Sequence, residues 1–219
     1  MTKRILCYGD SNTFGYIPGG FGDRYAETIR WPGRLQELLG YSYKVIEEGC
    51  SGRTTDIDDP YEPWKNGMSS LKACLNSQRP VDLCVILLGS NDLKDIFARD
   101  ASDIAASAGR IALETKVFLK EKQGYEPAIL LVSPMHVTED VLKGRFADSF
   151  SERAIEVSHH LAEEYQKQAE ALHCLFLDAS QYCKPSEKDG LHLSEDGHQA
   201  LARAVYNVIR NFFEGEKHI

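Results

Sequence analysis

The sequence lacks any long hydrophobic run and has fewer positive than negative charges. No stretch approaches the ~18 apolar residues of a transmembrane helix, and the apolar run after the basic N-terminus ends at Gly9, too early for a signal peptide. Lys and Arg number 25 against 33 Asp and Glu, for a formal net charge of −8. These features predict a cytoplasmic protein whose main partner is neither a membrane nor a nucleic acid.

Cysteine occurs 6 times, but in no pattern that binds metal or carries out redox chemistry. Without a C-x-x-C pair, a zinc knuckle or a dithiol centre has no support. Three of the cysteines fall inside apolar, strand-like runs, where a reduced thiol packs as a small hydrophobe; they are Cys7, Cys84 and Cys174. We therefore expect a reduced chain that uses neither a metal nor a cofactor.

Short apolar runs alternate along the chain with longer segments of helical periodicity. The runs that predict strands are 4–9, 43–49, 82–89, 128–133 and 174–179. Helices are predicted over 100–122, 151–172 and 194–213, the last with Ser194 as its N-cap. This alternation predicts an α/β fold, a three-layer α/β/α sandwich around a five-stranded parallel sheet, with residues 1–219 as a single domain.

Glycines and polar residues gather where the predicted strands end. GDS follows the first strand at 9–11, GCSG the second at 49–52 and GSND the third at 89–92, and DGLH comes after the fifth at 189–192. In open parallel sheets, ligands bind at this edge. We therefore expect these four blocks to meet in one site.

The blocks contain the parts of a serine nucleophile system. Ser11 needs an adjacent base, which His192 can supply, and Asp189 is spaced to hold the other imidazole nitrogen. Attack on an ester carbonyl also needs hydrogen-bond donors for the oxyanion. The candidate donors are the backbone N–H groups of Ser11 and Gly52 and the side-chain amide of Asn91.

The blocks GDSNTFG, GCSGRT, GSND and DGLH resemble, in order and spacing, the motifs of the SGNH (GDSL-type) hydrolases. The resemblance runs from residue 4 to about residue 200 and is nearest to the bacterial aryl esterase/acyltransferase branch. It implies the flavodoxin-like SGNH hydrolase fold, with Ser11, Asp189 and His192 as catalytic residues and oxyanion donors at Ser11, Gly52 and Asn91. It also implies a homo-oligomeric, cytoplasmic serine esterase that acts on small, mostly acetyl, esters, with acyltransfer or perhydrolysis in some relatives.

Further residues are candidates for the walls of a pocket that would bind a small-molecule ester: Asn12, Tyr16, Lys94, Ile96 and Met135. Two of them depart from the family pattern. Many relatives carry leucine at the position of Asn12, and close relatives carry tryptophan at that of Tyr16. Asn12 therefore places a polar group beside the nucleophile.

Three charged residues near the blocks are expected to have structural roles. Asp10 should accept N–H groups of its own loop, and Asp92 should pin the loop that carries Asn91. Arg53 should form an ion pair with the acidic stretch 56–59.

Two other functions fit parts of the pattern. A carbohydrate O-acetyl esterase would use the same residues and would bind sugar hydroxyls through Asn12 and the polar loops. A flavodoxin-like flavin- or phosphate-binding module would use the hydroxyl-rich loop after the first strand. Against that module, Asp10 puts a negative charge where phosphate would sit, and Asp189 and His192 would have no role. No G-K-S or G-K-T triplet occurs, which excludes a P-loop.

Overall fold

Five parallel strands form one sheet in the computed structural model, which describes residues 2–215. In chain order they are β1 (Lys3–Gly9), β2 (Tyr43–Gly49), β3 (Leu83–Leu87), β4 (Ala128–Ser133) and β5 (Leu175–Asp178). Their order across the sheet is β2-β1-β3-β4-β5, and every neighbouring pair is parallel. The five predicted strands are confirmed, although β3 ends before its apolar run does.

Helices connect these strands. They are α1 (Ser11–Phe14), α2 (Trp31–Leu39), α3 (Gly67–Gln78), α4 (Ala101–Gln123), α5 (Glu152–Ser158), α6 (Leu161–Ala171) and α7 (Glu195–Gly215). The predictions for α4 and α7 are confirmed, and Ser194 caps α7 by accepting the Gly197 N–H at 3.2 Å. No helix within the described residues is long and apolar enough to cross a bilayer.

The single helix predicted over 151–172 is wrong, because the structure has two helices there. The first, α5, ends at Ser158, whose hydroxyl donates to the Ile155 carbonyl at 2.6 Å and accepts the Val137 N–H at 3.0 Å. A hydroxyl that bonds the preceding turn competes with the helical hydrogen bonds. The chain therefore breaks at His159 and His160 before α6 begins.

Neither α2 nor α3 is among the predicted helices. The first turn of α2 contains Pro32 and Gly33, which read as turn residues in the sequence, yet proline is well tolerated at the start of a helix. The second, α3, follows the irregular segment after β2, and Asn66 caps it by accepting the Ser69 N–H at 3.2 Å. Leu35 of α2 and Leu71 of α3 are fully buried, on opposite faces of the sheet.

Side chains alternate between the two faces of the sheet and divide the core in two. Leu6 and Tyr8 of β1 point to the face covered by α3, α4 and α6, whereas Ile5 and Cys7 point to the face covered by α2 and α7. Strands buried on both faces have continuously apolar sequences, which is the pattern seen here. The three-layer α/β/α sandwich is confirmed.

The register of the sheet brings the carboxyl ends of three neighbouring strands level. Gly9 pairs with Gly49 on one side and with the end of β3 on the other. A Cβ on Gly9 would lie 2.0 Å from Thr13 Oγ1, and one on Gly49 would lie 2.1 Å from the Phe14 amide nitrogen. The absence of side chains lets α1 pack directly on the ends of β1 and β2, which places Ser11 at this edge.

Tyr165 of α6 holds the end of β3. Its hydroxyl donates to the Leu88 carbonyl at 2.7 Å in a fully buried position, so its removal would leave a buried acceptor unpaired. We expect Tyr165→Phe to lower the free energy of unfolding by about 1–2 kcal/mol, measured by urea denaturation. Tyr41→Phe, at a fully exposed side chain, is the matched control. Equal changes in the two variants would contradict this role for Tyr165.

Candidate active site

The corner after β1 presents Ser11 as the first residue of α1. Asp10 caps this short helix, because its Oδ1 accepts the Asn12 N–H at 2.9 Å. Among the described residues the N–H of Ser11 has no acceptor, so Ser11 brings both a hydroxyl and a free amide to the sheet edge. The fully buried Asp10 carboxylate occupies the position that a phosphate would need, which argues against the flavin- or phosphate-binding alternative.

Ser11, His192 and Asp189 form one continuous hydrogen-bonded chain. Ser11 Oγ lies 2.9 Å from His192 Nε2, and His192 Nδ1 lies 2.8 Å from Asp189 Oδ2. The three residues are between 2% and 5% exposed, so water does not compete for these contacts. Such an arrangement can move the serine proton to the imidazole while the carboxylate stabilises the resulting charge.

The segment between Asp189 and His192 folds back on itself. Gly190 has a φ of +66°, and a Cβ there would lie 2.3 Å from the Val141 amide nitrogen. Asp189 Oδ1 accepts the N–H groups of Leu191 and His192 at 3.1 and 3.0 Å. Burial favours the neutral acid, but the hydrogen bond and charge of His192 and these two amides outweigh it and hold the pKa of Asp189 below its usual range.

Asn12 lies behind the nucleophile and does not line the cavity, contrary to the sequence prediction. Its Nδ2 donates to the Leu191 carbonyl at 3.3 Å, and its Oδ1 accepts the Leu193 N–H at 3.0 Å. The side chain points along the sheet edge toward the segment that carries His192. The Asn12 amide therefore fastens that segment to α1 and so positions the base against Ser11.

A cavity of about 250 Å³ opens above Ser11 and His192. The three predicted oxyanion donors, on Ser11, Gly52 and Asn91, all line it. Gly52 has a φ of +81°, and its N–H, like that of Ser11, has no acceptor within residues 2–215. Asn91 Nδ2 donates one proton to the Arg53 carbonyl at 3.1 Å, which orients the amide and leaves its second proton for a ligand.

Two of the remaining pocket candidates line the cavity and two do not. Tyr16 and Lys94 contribute to the wall, and the Tyr16 ring stacks on the His192 ring with a centroid distance of 4.3 Å. Ile96 is 54% exposed outside the cavity, since the turn that follows Lys94 directs it to solvent. Met135 is 4% exposed and packs in the core between the sheet and α7. Proximity to a strand end does not fix the direction of a side chain.

Other lining residues are absent from the sequence prediction, notably Phe21, Lys65, Arg145, Phe146 and Phe150. They lie in three connecting segments that are far apart along the chain. None belongs to a motif block, and no local pattern distinguishes them from ordinary loop residues. The Gly- and Pro-rich composition of the segments around Phe21 and Lys65 is the one signal available, because long loops in compact domains are often functional.

Cysteines and metal ligands take no part in this cavity. The six cysteines are all free thiols, and none lines the cavity. Within the described part of the chain, no group of three His, Cys, Asp or Glu side chains is placed to hold a metal ion.

Known proteins resemble this chain along nearly its whole length. The GDSL-like lipase/acylhydrolase family matches residues 7–200. The chain belongs to this family. The structure of the native aryl esterase of M. smegmatis is 35% identical, with a TM-score of 0.90, over 96% of this chain and 99% of that chain. A carbohydrate acetylesterase from Sinorhizobium meliloti is 31% identical, with a TM-score of 0.87, over 96% of this chain and 100% of that chain.

A further relative of this GDSL-family chain is considerably longer. The acetylxylan esterase of Xylanibacter ruminicola is 26% identical over 231 residues, which cover 94% of this chain. The chain spans only 43% of the length of that relative. The comparison therefore concerns one part of a larger esterase.

Arg53 holds the strand ends of this GDSL-family site and forms no ion pair with the acidic stretch, contrary to the expectation. Its Nη1 donates to the Gly9 carbonyl at 2.8 Å and also to the Glu48 carbonyl, and its guanidinium lies 4.2 Å from the Tyr8 ring centroid. The strand carbonyls lie closer to it than the acidic side chains do. Those acids have other partners: Arg99 and Arg110 pair with Asp56, and Lys94 pairs with Asp59.

Two fully buried carboxylates support the loops that meet here. Asp92 accepts the Thr55 N–H at 3.0 Å and Arg99 Nη1 at 3.1 Å, which joins the loop carrying Asn91 to the segment after β2. Burial, only partly offset by these hydrogen bonds, raises the pKa of Asp92 to about 6. Burial likewise raises the pKa of Asp10 to about 6, against the hydrogen bond from Asn12 and the charge of His192.

The raised pKa of Asp10 makes stability depend on pH. The folded protein binds this proton more tightly than the unfolded chain, so the free energy of unfolding should fall as pH rises from about 4 to about 6. Asp10→Asn keeps an oxygen for the Asn12 N–H but cannot ionise, and should remove about 1–3 kcal/mol of that fall. The measurement is urea denaturation across this pH range.

The control for the loss of one negative charge is Asp23→Asn, at an exposed position in the loop before α2, which should retain the wild-type pH dependence. Identical pH dependence in wild type and Asp10→Asn would contradict the assignment to Asp10.

Proposed function

We propose that this chain is a serine esterase that hydrolyses small, acetyl-type carboxylic esters through an acyl-enzyme. The observation that carries the proposal is the hydrogen-bonded chain from Asp189 through His192 to Ser11. Ser11, at its end, lines a cavity that is also lined by the three neutral donors. Family membership supports the same reaction class, because the match spans residues 7–200 and includes all of these residues.

In the proposed mechanism, Ser11 Oγ attacks the ester carbonyl carbon while His192 Nε2 removes its proton. Asp189 holds the imidazole by Nδ1 and stabilises the imidazolium. The carbonyl oxygen becomes an oxyanion, which accepts hydrogen bonds from the N–H groups of Ser11 and Gly52 and from the amide of Asn91. No metal or cofactor enters any step.

Collapse of the tetrahedral intermediate expels the alcohol, and His192 Nε2 returns the proton to the leaving oxygen. The acyl group then remains on Ser11 Oγ. A water molecule attacks the acyl carbon while His192 Nε2 takes its proton, and the imidazolium returns that proton to Ser11 Oγ as the bond to the acyl carbon breaks, which releases the carboxylic acid and the free serine. An alcohol or a peroxide in place of that water would give acyltransfer or perhydrolysis from the same acyl-enzyme.

The size of the cavity favours short acyl groups. At about 250 Å³ it falls just below the ~300 Å³ at which pockets for drug-sized ligands begin. Phe146 and Phe150 form part of its wall. An acetyl group with a modest alcohol part fits this volume.

A carbohydrate O-acetyl esterase is the alternative within the same mechanism. Two relatives carry such names, the carbohydrate acetylesterase and the acetylxylan esterase. Phe21 lines the cavity and is 89% exposed, and Trp64, next to the lining residue Lys65 in the chain, is 63% exposed. Exposed aromatic rings of this kind would suit a sugar ring. From the family resemblance alone we also infer a homo-oligomeric, cytoplasmic enzyme.

Replacement of the nucleophile tests the proposal directly. The wild type should hydrolyse p-nitrophenyl acetate faster than the octanoyl ester, and Ser11→Ala should lower kcat/KM by a factor on the order of 10⁴ or more, since no other group attacks the carbonyl. Ser77→Ala, on the exposed side of α3, controls for loss of a hydroxyl. A folded Ser11→Ala protein, by circular dichroism, with wild-type turnover would refute the mechanism.

The oxyanion role of Asn91 makes a separate prediction. Removal of one donor that acts in the transition state should lower kcat by about 10²–10³ with little change in KM. We therefore expect this result for Asn91→Ala in steady-state kinetics with p-nitrophenyl acetate. Asn207→Ala, at an exposed position of α7, is the matched control. If Asn91→Ala raised KM and left kcat intact, Asn91 would belong to substrate binding instead.

A further inference from the structure

The charged residues that line the cavity are all cations, apart from the imidazole of His192 itself. Among the lining residues in the described part of the chain there is no aspartate or glutamate, whereas Lys65, Lys94 and Arg145 are present. Lys65 pairs with Glu62, and Lys94 pairs with Asp59 at 3.2 Å. No carboxylate within residues 2–215 lies at ion-pair distance from Arg145, so its charge is not neutralised by a neighbouring side chain.

Arg145 is an exposed residue whose guanidinium contacts its neighbours along one edge. Its Nη1 donates to Tyr16 Oη at 3.2 Å and to the Gly20 carbonyl at 3.1 Å. Its central carbon lies 5.3 Å from the Phe21 ring centroid and 5.6 Å from that of Phe146. Nε and Nη2 have no acceptor among the described residues. A guanidinium fixed along one edge, with donors free along the other, is prepared to bind a planar anion through paired hydrogen bonds.

Arg145 lies on the side of the cavity where the alcohol departs. Its partner Tyr16 stacks on His192, and Phe146, beneath the same guanidinium, lies 5.3 Å from the His192 ring. Because His192 returns the proton to the leaving oxygen, groups around this ring contact the alcohol part of an ester rather than its acyl part.

From this placement we infer that the preferred substrates are acetyl esters whose alcohol part carries a carboxylate, which Arg145 binds. The inference rests on the proposed esterase function and specifies its substrate class. Hydroxy acids and uronic acid residues acetylated on a hydroxyl group have the required chemistry. The carboxylate accepts hydrogen bonds from the free N–H groups of Arg145 while Ser11 attacks the acetyl carbon. The charges of Lys65 and Lys94 are offset by Glu62 and Asp59, so Arg145 is the cation of the cavity wall that is left to bind the carboxylate.

The test compares two acetyl esters that differ in one charge, para-acetoxybenzoate and its methyl ester. We measure kcat/KM for both and take the ratio of the charged to the neutral ester, which cancels any general effect of a variant on catalysis. Arg145→Gln should lower this ratio about tenfold relative to the wild type, the ordinary worth of one hydrogen-bonded charge pair. An unchanged ratio would overturn the inference.

The matched control is Lys143→Gln, which removes one positive charge from the same loop. Lys143 pairs with Asp140 at 2.9 Å, is 68% exposed and does not line the cavity, so this variant should retain both the wild-type ratio and activity. An equal fall of the ratio in Lys143→Gln and Arg145→Gln would show that the effect comes from the overall charge, and it would overturn the role of Arg145.

A second measurement needs no variant of Arg145. We measure the hydrolysis of p-nitrophenyl acetate by the wild type in the presence of para-hydroxybenzoate or of its methyl ester. The inhibition constant of para-hydroxybenzoate should be about tenfold lower than that of the methyl ester. Equal inhibition by the two compounds would overturn the inference. The esterase proposal would still stand, provided that hydrolysis depends on Ser11. Hydrolysis that persists in Ser11→Ala would overturn both.

Discussion

The hydrogen bond between Ser11 Oγ and His192 Nε2 joins two residues that lie 181 positions apart in the chain. A serine hydroxyl is a weak nucleophile without such a base, so the proposed chemistry depends on this contact. Its two ends are held independently. At one end, Gly9 lets α1 sit directly on the sheet, and at the other, the Asn12 amide bonds both sides of the His192 segment. Ser11 is therefore placed by α1 on the sheet, and the loop that carries Asp189 and His192 is bonded to α1 through Asn12.

Much of the surrounding structure holds loops in place at a cost in stability. Asp10 and Asp92 are fully buried carboxylates whose pKa values are raised to about 6, so their ionised forms are less stable there than in water. Each nonetheless accepts N–H groups from a loop that carries a site residue. Buried charge is retained in folded proteins where it fixes a local geometry that packing alone would not specify. Here that geometry is the position of Ser11 and Asn91.

The electrostatic character of the cavity differs from that of the whole chain. A net charge of −8 suggests a surface that repels anions, yet within residues 2–215 three cations and no carboxylate line the cavity that contains Ser11 and His192. A concave site concentrates the field of the charges that line it, so local arrangement outweighs the overall balance. Arg145 contributes most to the difference because it is held by rings and neutral oxygens rather than by an acid.

Local periodicity explains which parts of the fold could be predicted. The central strands β1, β3 and β4 each have a continuous apolar run, and the helices α4 and α7 each have a helical stripe; these patterns require no knowledge of distant residues. The break between α5 and α6 could not be predicted, because it depends on Ser158 meeting Val137 from another segment. The helices α2 and α3 could not be predicted for another reason, since Pro32 and Gly33 in the first and Asn66 and Gly67 at the start of the second are typical of turns.

The sequence by itself determined that Ser11, Gly52, Asn91, Asp189 and His192 belong to one site, because each lies next to a motif at the end of a strand or in the DGLH block. Only the tertiary structure decided which other side chains surround them. Tyr16 and Lys94 reach the cavity, whereas Asn12, Ile96 and Met135 do not, and Lys65 and Arg145 enter from loops without a motif. The reason is physical: a sequence pattern records which residues are buried or polar, but the direction of a loop side chain depends on contacts with residues far away in the chain.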